Sequence, residues 1–121
     1  MHSVITTVHG TFASSAKWPQ PDSALSKHLK QHLPGTIEIR PFYWSGKNSF
    51  TAREIAAHAL REHIQTVDQE RPGSKHFLIA HSHGGNVALL AAGHDDTKGK
   101  VAGIVCLSTP FLQAWPRPLG P

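Results

Sequence analysis

Four short apolar runs, each separated by a stretch with helical periodicity, constrain this chain more than any other feature. Ser3–Val8 (SVITTV), His76–Ala80 (HFLIA) and Val101–Leu107 (VAGIVCL) are β-branched or apolar, Thr36–Tyr43 alternates Ile37 and Ile39 before Pro41-Phe42-Tyr43, and all four are bounded by Gly, Pro or polar turns. Strands of this length with no polar alternation are buried on both faces. When helices intervene, that pattern implies a parallel sheet joined by right-handed crossovers.

The connecting segments carry their own start and stop signals. Asp22 or Ser23 caps a helix bearing Leu25, Leu29 and Leu33, which Pro34-Gly35 stops. Asn48, Ser49 or Thr51 opens a longer helix with Ile55, Ala56, Ala59, Leu60, His63, Ile64 and Val67 on one stripe, ending at Arg71-Pro72-Gly73. A third helix runs from about Gly85 to Ala92, with Val87, Leu90 and Ala91 inward. Leu25, Leu29, Ile55, Leu60 and Ile64 are read as core. Pro41 is expected to limit the second strand. The fold class is therefore α/β, with a parallel sheet of about four strands and helices on both faces. Residues 1–112 form this single domain, and residues 113–121, with three prolines, form a tail without regular structure.

The residues Ala80-His81-Ser82-His83-Gly84-Gly85 stand between the third strand and the third helix. A serine on so sharp a turn takes a strained backbone, and its neighbours two positions away must be small. Ala80 and Gly84 meet that demand, although Ala replaces the usual first glycine of G-x-S-x-G. Acyl transfer also needs donors aimed at a developing oxyanion. The His83 N–H, at the start of the helix, is one candidate. The loop His9-Gly10-Thr11-Phe12 after the first strand supplies the second through the Thr11 N–H or, alternatively, the Phe12 N–H. His9, Gly10 and Gly84 are read as shaping these loops.

Together, His9-Gly10-Thr11-Phe12, Ala80–Asn86 and Leu107-Ser108-Thr109-Pro110-Phe111 resemble the lipase- and esterase-like α/β-hydrolases over residues 3–112. The resemblance implies a strand order of second, first, third, fourth, and a serine hydrolase acting on carboxylic esters through an acyl-serine intermediate. Ser82 would be the nucleophile, no cofactor is implied, and the substrate is a small acyl ester or lipid. In that family the acid and the histidine follow the serine. Here the only acids after Ser82 are Asp95 and Asp96, ahead of the fourth strand, and the only histidines are His83 and His94. The triad is incomplete in this chain, so the alternative is a degenerate fragment that acts by binding or by associating with a complementary chain.

The remaining features exclude other classes. Twelve Lys and Arg against 8 Asp and Glu give a net charge of +4, but the basic residues are scattered, which argues against a nucleic-acid surface. The one cysteine, Cys106, lies in an apolar run and is expected to be buried and inert. No apolar stretch spans a bilayer and no signal peptide is visible, so a cytoplasmic location is expected. Ten histidines raise the question of a metal, with His28 and His32 one turn apart, but no carboxylate or Cys stands at matching spacing and no metal site is assigned. Trp18, Tyr43 and Trp44 either line an acyl pocket or pack. The sheet edges suggest a homodimer or a complementary C-terminal chain.

Overall fold

A computed structural model describes residues 1–111. Its elements are β1 (His2–Val8), α1 (Ala24–His32), β2 (Thr36–Phe42), α2 (Phe50–Glu70), β3 (Lys75–His81), α3 (Gly84–Ala92) and β4 (Gly103–Leu107). All pairings are parallel and the order is β2-β1-β3-β4, as the resemblance implied. The proline-rich tail at 113–121 lies outside the described residues, as does residue 112.

Ser23 and Ser49 cap the first two helices, each accepting a hydrogen bond from a backbone N–H three residues on. β2 passes through Pro41, which pairs in register with Thr7, and ends at Phe42. An edge strand tolerates a proline because one side of its ladder has no neighbour to bond.

The sheet separates two unequal cores. On one face, Val8, Phe42, Leu78 and Ala80 pack with Ala56, Leu60 and Ile64 of α2 and Val87, Ala88 and Ala91 of α3. On the other, Ile5, Ile39 and Ile79 pack, among the described residues, with Trp18, Leu29, Ile37 and Phe77. This asymmetry corrects several expectations. β4 is not buried on both faces: Val105 is 51% exposed and Leu107 41%, because no helix among the described residues lies over that side of the strand. Cys106, on the opposite face of the same strand, is half-buried rather than buried. Ile55 is 66% exposed, since the buried stripe of α2 runs through Arg53, Ala56, Ala57, Leu60, Ile64 and Val67 and leaves Ile55 a quarter-turn away. Leu90 points outward from α3, and Leu33 lies past the end of α1 in extended backbone. Leu25 and Leu29 are half-buried, while Ser26 is buried and donates its hydroxyl hydrogen to the Gln20 carbonyl at 2.7 Å.

Three side chains pin α2 to the sheet. Thr6 Oγ1 lies 2.8 Å from His63 Nε2 and 2.7 Å from His76 Nε2. One hydroxyl has one hydrogen, so one imidazole accepts from it and the other donates to it. His76 Nδ1 is buried with no partner among the described residues. The assignment that leaves no orphan N–H has His76 Nε2–H donating to Thr6 and Thr6 donating to His63 Nε2. Both rings are then neutral. Burial, with help from repulsion by a protonated His63 and by the Arg40 guanidinium, lowers the His76 pKa from 6.5 to about 4, and burial likewise lowers that of His63.

On the open edge, Glu38 bonds Arg40 and Arg71, and Arg40 also reaches Glu70 at 2.7 Å. Burial opposes ionisation of Glu38, but the two guanidinium groups outweigh it and hold the pKa at about 2. Among the described residues no helix is long and apolar enough to cross a membrane.

The depressed histidines set an acid limit. A His whose folded pKa is below its unfolded value takes up protons on unfolding, so its contribution is complete above the unfolded pKa and fades as pH falls. Between pH 6.5 and 4, His76 alone should remove about 3 kcal/mol of stability. Glu38 should add a further loss only below about 4.5. Urea unfolding across this range should show the first slope in the parent chain and a flatter one in His76→Leu.

Candidate active site

Because all four strands are parallel, their carboxyl ends share one edge. Val8, Phe42 and Ala80 are register partners there, with Cys106 beside Ala80. The loops beginning at His9, Tyr43, Ser82 and Ser108 therefore emerge together, at the edge where ligands of such sheets bind.

Ser82 occupies the turn between β3 and α3 with φ of 55°, in the left-handed region that a non-glycine residue rarely enters. Its N–H donates to the Leu107 carbonyl at 2.9 Å, which ties the turn to the end of β4. Strain of this kind, on the order of 1–3 kcal/mol, persists only where surroundings enforce it. Two glycines show how. A Cβ on Gly84 would stand 2.4 Å from the His9 carbonyl oxygen and 2.8 Å from that of Val8, and a Cβ on Gly10 would stand 2.9 Å from Ser82 Cβ. The loop after β1 and the turn after β3 are in contact through their backbones.

His9 holds that loop in place. The Trp44 N–H donates to His9 Nε2 at 3.0 Å and the indole N–H to the His9 carbonyl at 2.9 Å, while the rings stack at 5.5 Å. Since Nε2 accepts, the hydrogen sits on Nδ1, which donates to the Gly10 carbonyl at 2.9 Å. The ring is 1% exposed and both nitrogens are engaged.

The two candidates for the second donor now differ. The Phe12 N–H already donates to the Gly46 carbonyl at 2.8 Å, and its side chain is exposed. Among the described residues the N–H groups of Thr11 and His83 take no partner. Thr11 Oγ1 is buried and also without one.

The aromatic candidates divide three ways. Trp44 is buried and committed to His9. Tyr43 is half-exposed, bonds Gln20, and with Phe42, Trp44 and Ile55 lines an open groove of about 520 Å³ whose wall does not include Ser82. Trp18 presents its edge to His81, beside the serine, at 6.4 Å.

Other residues framing the elbow were harder to read from sequence. Thr109 packs so closely on Gly85 that a Cβ there would meet its Oγ1 at 2.1 Å, and Asn86 donates to the Pro110 carbonyl at 3.0 Å and to His83 Nδ1 at 3.1 Å. The doubled Gly84-Gly85 was the available signal, since one glycine serves each neighbour. Burial, reinforced by the Arg53 charge, lowers the His83 pKa. Among the described residues no three metal-ligating side chains cluster; His28 and His32 face each other alone at 4.1 Å.

Residues 50–120, more than half of the chain, match the family described as serine aminopeptidase, S33. The chain belongs to this α/β-hydrolase family. Among solved structures it is similar to the phospholipase PlaB from Legionella pneumophila, solved in complex with thio-NAD, with a TM-score of 0.58 and 19% identity. That likeness is one of fold, and it covers 88% of this chain but 25% of the phospholipase. The chain thus spans about a quarter of that protein's length. None of the curated proteins compared with it matches.

The contact between the two loops is open to a direct test. Gly84→Ala should cost about 1–3 kcal/mol in urea unfolding, because the atoms it meets are backbone carbonyls that cannot rotate aside.

Proposed function

We propose that this chain carries the nucleophile and oxyanion donors of a serine hydrolase that cleaves carboxylic esters through an acyl-serine intermediate. The single observation that carries the reading is the left-handed Ser82 between β3 and α3, with Gly10 of the neighbouring loop against its Cβ. Family membership supports hydrolase chemistry, and the phospholipase likeness favours an acyl ester or lipid as substrate.

In this reading Ser82 Oγ attacks the ester carbonyl and its proton passes to a histidine base. The carbonyl oxygen gains charge between the His83 and Thr11 N–H groups, of which Thr11 is favoured over Phe12 because the Phe12 donor is already spent. The alkoxide leaves with that proton, and water then releases the acid by the reverse order of transfers. His83 is a poor base here: its Nδ1 accepts from Asn86 and its ring is held below the usual pKa. The base and its acid are therefore assigned to chain outside these residues.

Followed by intact mass, a fluorophosphonate probe should label Ser82 when the chain that supplies the base and its acid is present and not in Ser82→Ala, while these residues alone should label far more slowly. No labelling with the base supplied would overturn the assignment of Ser82 as the nucleophile.

A second reading has its own observation. The exposed Val105 and Leu107 lie on an edge strand whose outer backbone groups have no pairing among the described residues, which favours strand addition by a second copy or a complementary chain. Sedimentation should then show a dimer that Val105→Lys weakens about tenfold or more, the cost of a desolvated charge. A monomer at all concentrations would remove the self-association form of this reading.

A further inference from the structure

The aromatic side chains of this molecule are sorted between core and one edge. Phe42, Trp44, Trp18 and Phe77 pack in or against the two cores, whereas the four exposed aromatics of the described residues, Phe12, Tyr43, Phe50 and Phe111, all follow the carboxyl ends of strands. Phe12 stands in the loop after β1, Tyr43 directly after β2, Phe50 at the end of that same loop where α2 begins, and Phe111 in the segment after β4. One exposed ring is ordinary, but four at a single edge mark an interaction surface.

Phe12 shows that the exposure is enforced. Gly10 accepts from the Ala13 N–H at 3.2 Å, closing a turn whose third residue, Phe12, has φ of 57°. That place is ordinarily glycine's, because a Cβ strains left-handed backbone. Packing does not offset the strain, since the ring is 80% exposed. The Phe12 N–H donates to the Gly46 carbonyl at 2.8 Å, which joins this loop to the one holding Tyr43 and Lys47. Gly10 lies against Ser82 Cβ, and Asn86 of α3 holds the Pro110 carbonyl, one residue before Phe111. The aromatic loops are thus bound to the serine turn. Charge at this edge is sparse and mostly positive. The loops at 9–23, 43–49, 82–83 and 108–111 carry exposed Lys17 and Lys47 and a single acid, Asp22, and neither lysine enters an ion pair among the described residues.

We infer that this rim docks on an anionic lipid surface, with the rings entering the headgroup layer and Lys17 and Lys47 meeting lipid phosphates. Aromatic rings partition to that layer, and each lysine close to it adds attraction. Rings on separate loops suit a fluid surface, which closes around irregular tips, whereas a rigid protein partner would need a matched shape. Tyr43 and Lys47 also wall the open groove of about 520 Å³, so one lipid headgroup can meet a phenol ring and an ammonium together. The inference deepens the esterase reading by naming where its substrate is met, and it rests on that reading only for that, because docking needs no turnover.

Co-sedimentation of the full chain with vesicles of phosphatidylglycerol and phosphatidylcholine in equal parts reads the docking directly. The parent should pellet with these vesicles, and Ser82→Ala should do so equally. Phe12→Ala and Phe111→Ala should each weaken partitioning about tenfold, as the loss of a buried ring implies. Lys47→Gln should weaken it about fivefold. Leu33→Ser, at an exposed apolar position of the opposite edge, should leave it unchanged. Phe12→Gly separates docking from folding: glycine suits the left-handed turn, so its urea midpoint should equal or exceed that of the parent while partitioning falls. Failure of the parent to pellet with vesicles would overturn the inference, as would partitioning that survives Phe12→Gly and Phe111→Ala combined. Self-association that Phe12→Gly abolishes, with no vesicle binding, would give the rim to a second copy and overturn the lipid assignment. Fluorophosphonate labelling of Ser82 is a separate readout, so the esterase reading and the docking surface fail independently.

Discussion

The backbone contact between the turn after β1 and the turn after β3 is the constraint on which the rest of the carboxyl edge depends. Neither turn has room for a side chain at the meeting point, since a Cβ on Gly84 would fall inside contact distance of two carbonyl oxygens and one on Gly10 would press on Ser82. Closing that gap leaves Ser82 little choice of backbone. Its left-handed φ is the consequence, and the cost is met by the Leu107 bond, the Thr109 contact with Gly85 and the Asn86 bond to Pro110. β4 therefore does more than extend the sheet: its end braces the turn from the other side.

The same logic explains why His9 is buried at a site where histidine usually means proton transfer. With Nε2 accepting from the Trp44 backbone and Nδ1 donating to Gly10, the ring acts as a rigid spacer between β1 and β2. Trp44 doubles the tie through its indole. The loop that carries Thr11 is fixed before any ligand arrives, which is what a preorganised donor requires.

Much of this was legible in the sequence because it depends on local patterns. The strand-turn-helix around Ser82, the serine caps at Ser23 and Ser49, and the four apolar runs each announce themselves within a few residues. What was not legible depends on neighbours distant in the chain. Ile55 and Leu90 carry the right spacing for a core stripe, but periodicity leaves the edge of a stripe undecided, and only the packing of α2 on α3 and the sheet shows that they face outward. Val105 alternates with residues that are covered, and its exposure follows from what lies over the sheet rather than from its own neighbours. The Thr6 bridge between His63 and His76 joins residues 57 and 70 positions apart, a separation at which no local pattern operates. Arg53 was invisible for the same reason, since an arginine on a helix is ordinarily solvated and nothing nearby in sequence marks this one as buried.

The backbone at the elbow favours negative charge. The N–H groups of Thr11 and His83, without partners among the described residues, and the start of α3 all do so, and none of the ion pairs among the described residues involves a residue of the two turns. Such a site is suited to receiving an electron-rich group and poorly suited to removing a proton, because every nearby field that stabilises an oxyanion also discourages an imidazolium. A histidine base placed here would need a carboxylate behind it to be useful. A parallel sheet offers a route to that, since any strand added beside β4 in the same direction would deliver its following loop to this same edge. The electrophilic half of the proposed chemistry and the basic half can therefore reside on different parts of a sheet without either being remodelled to meet the other.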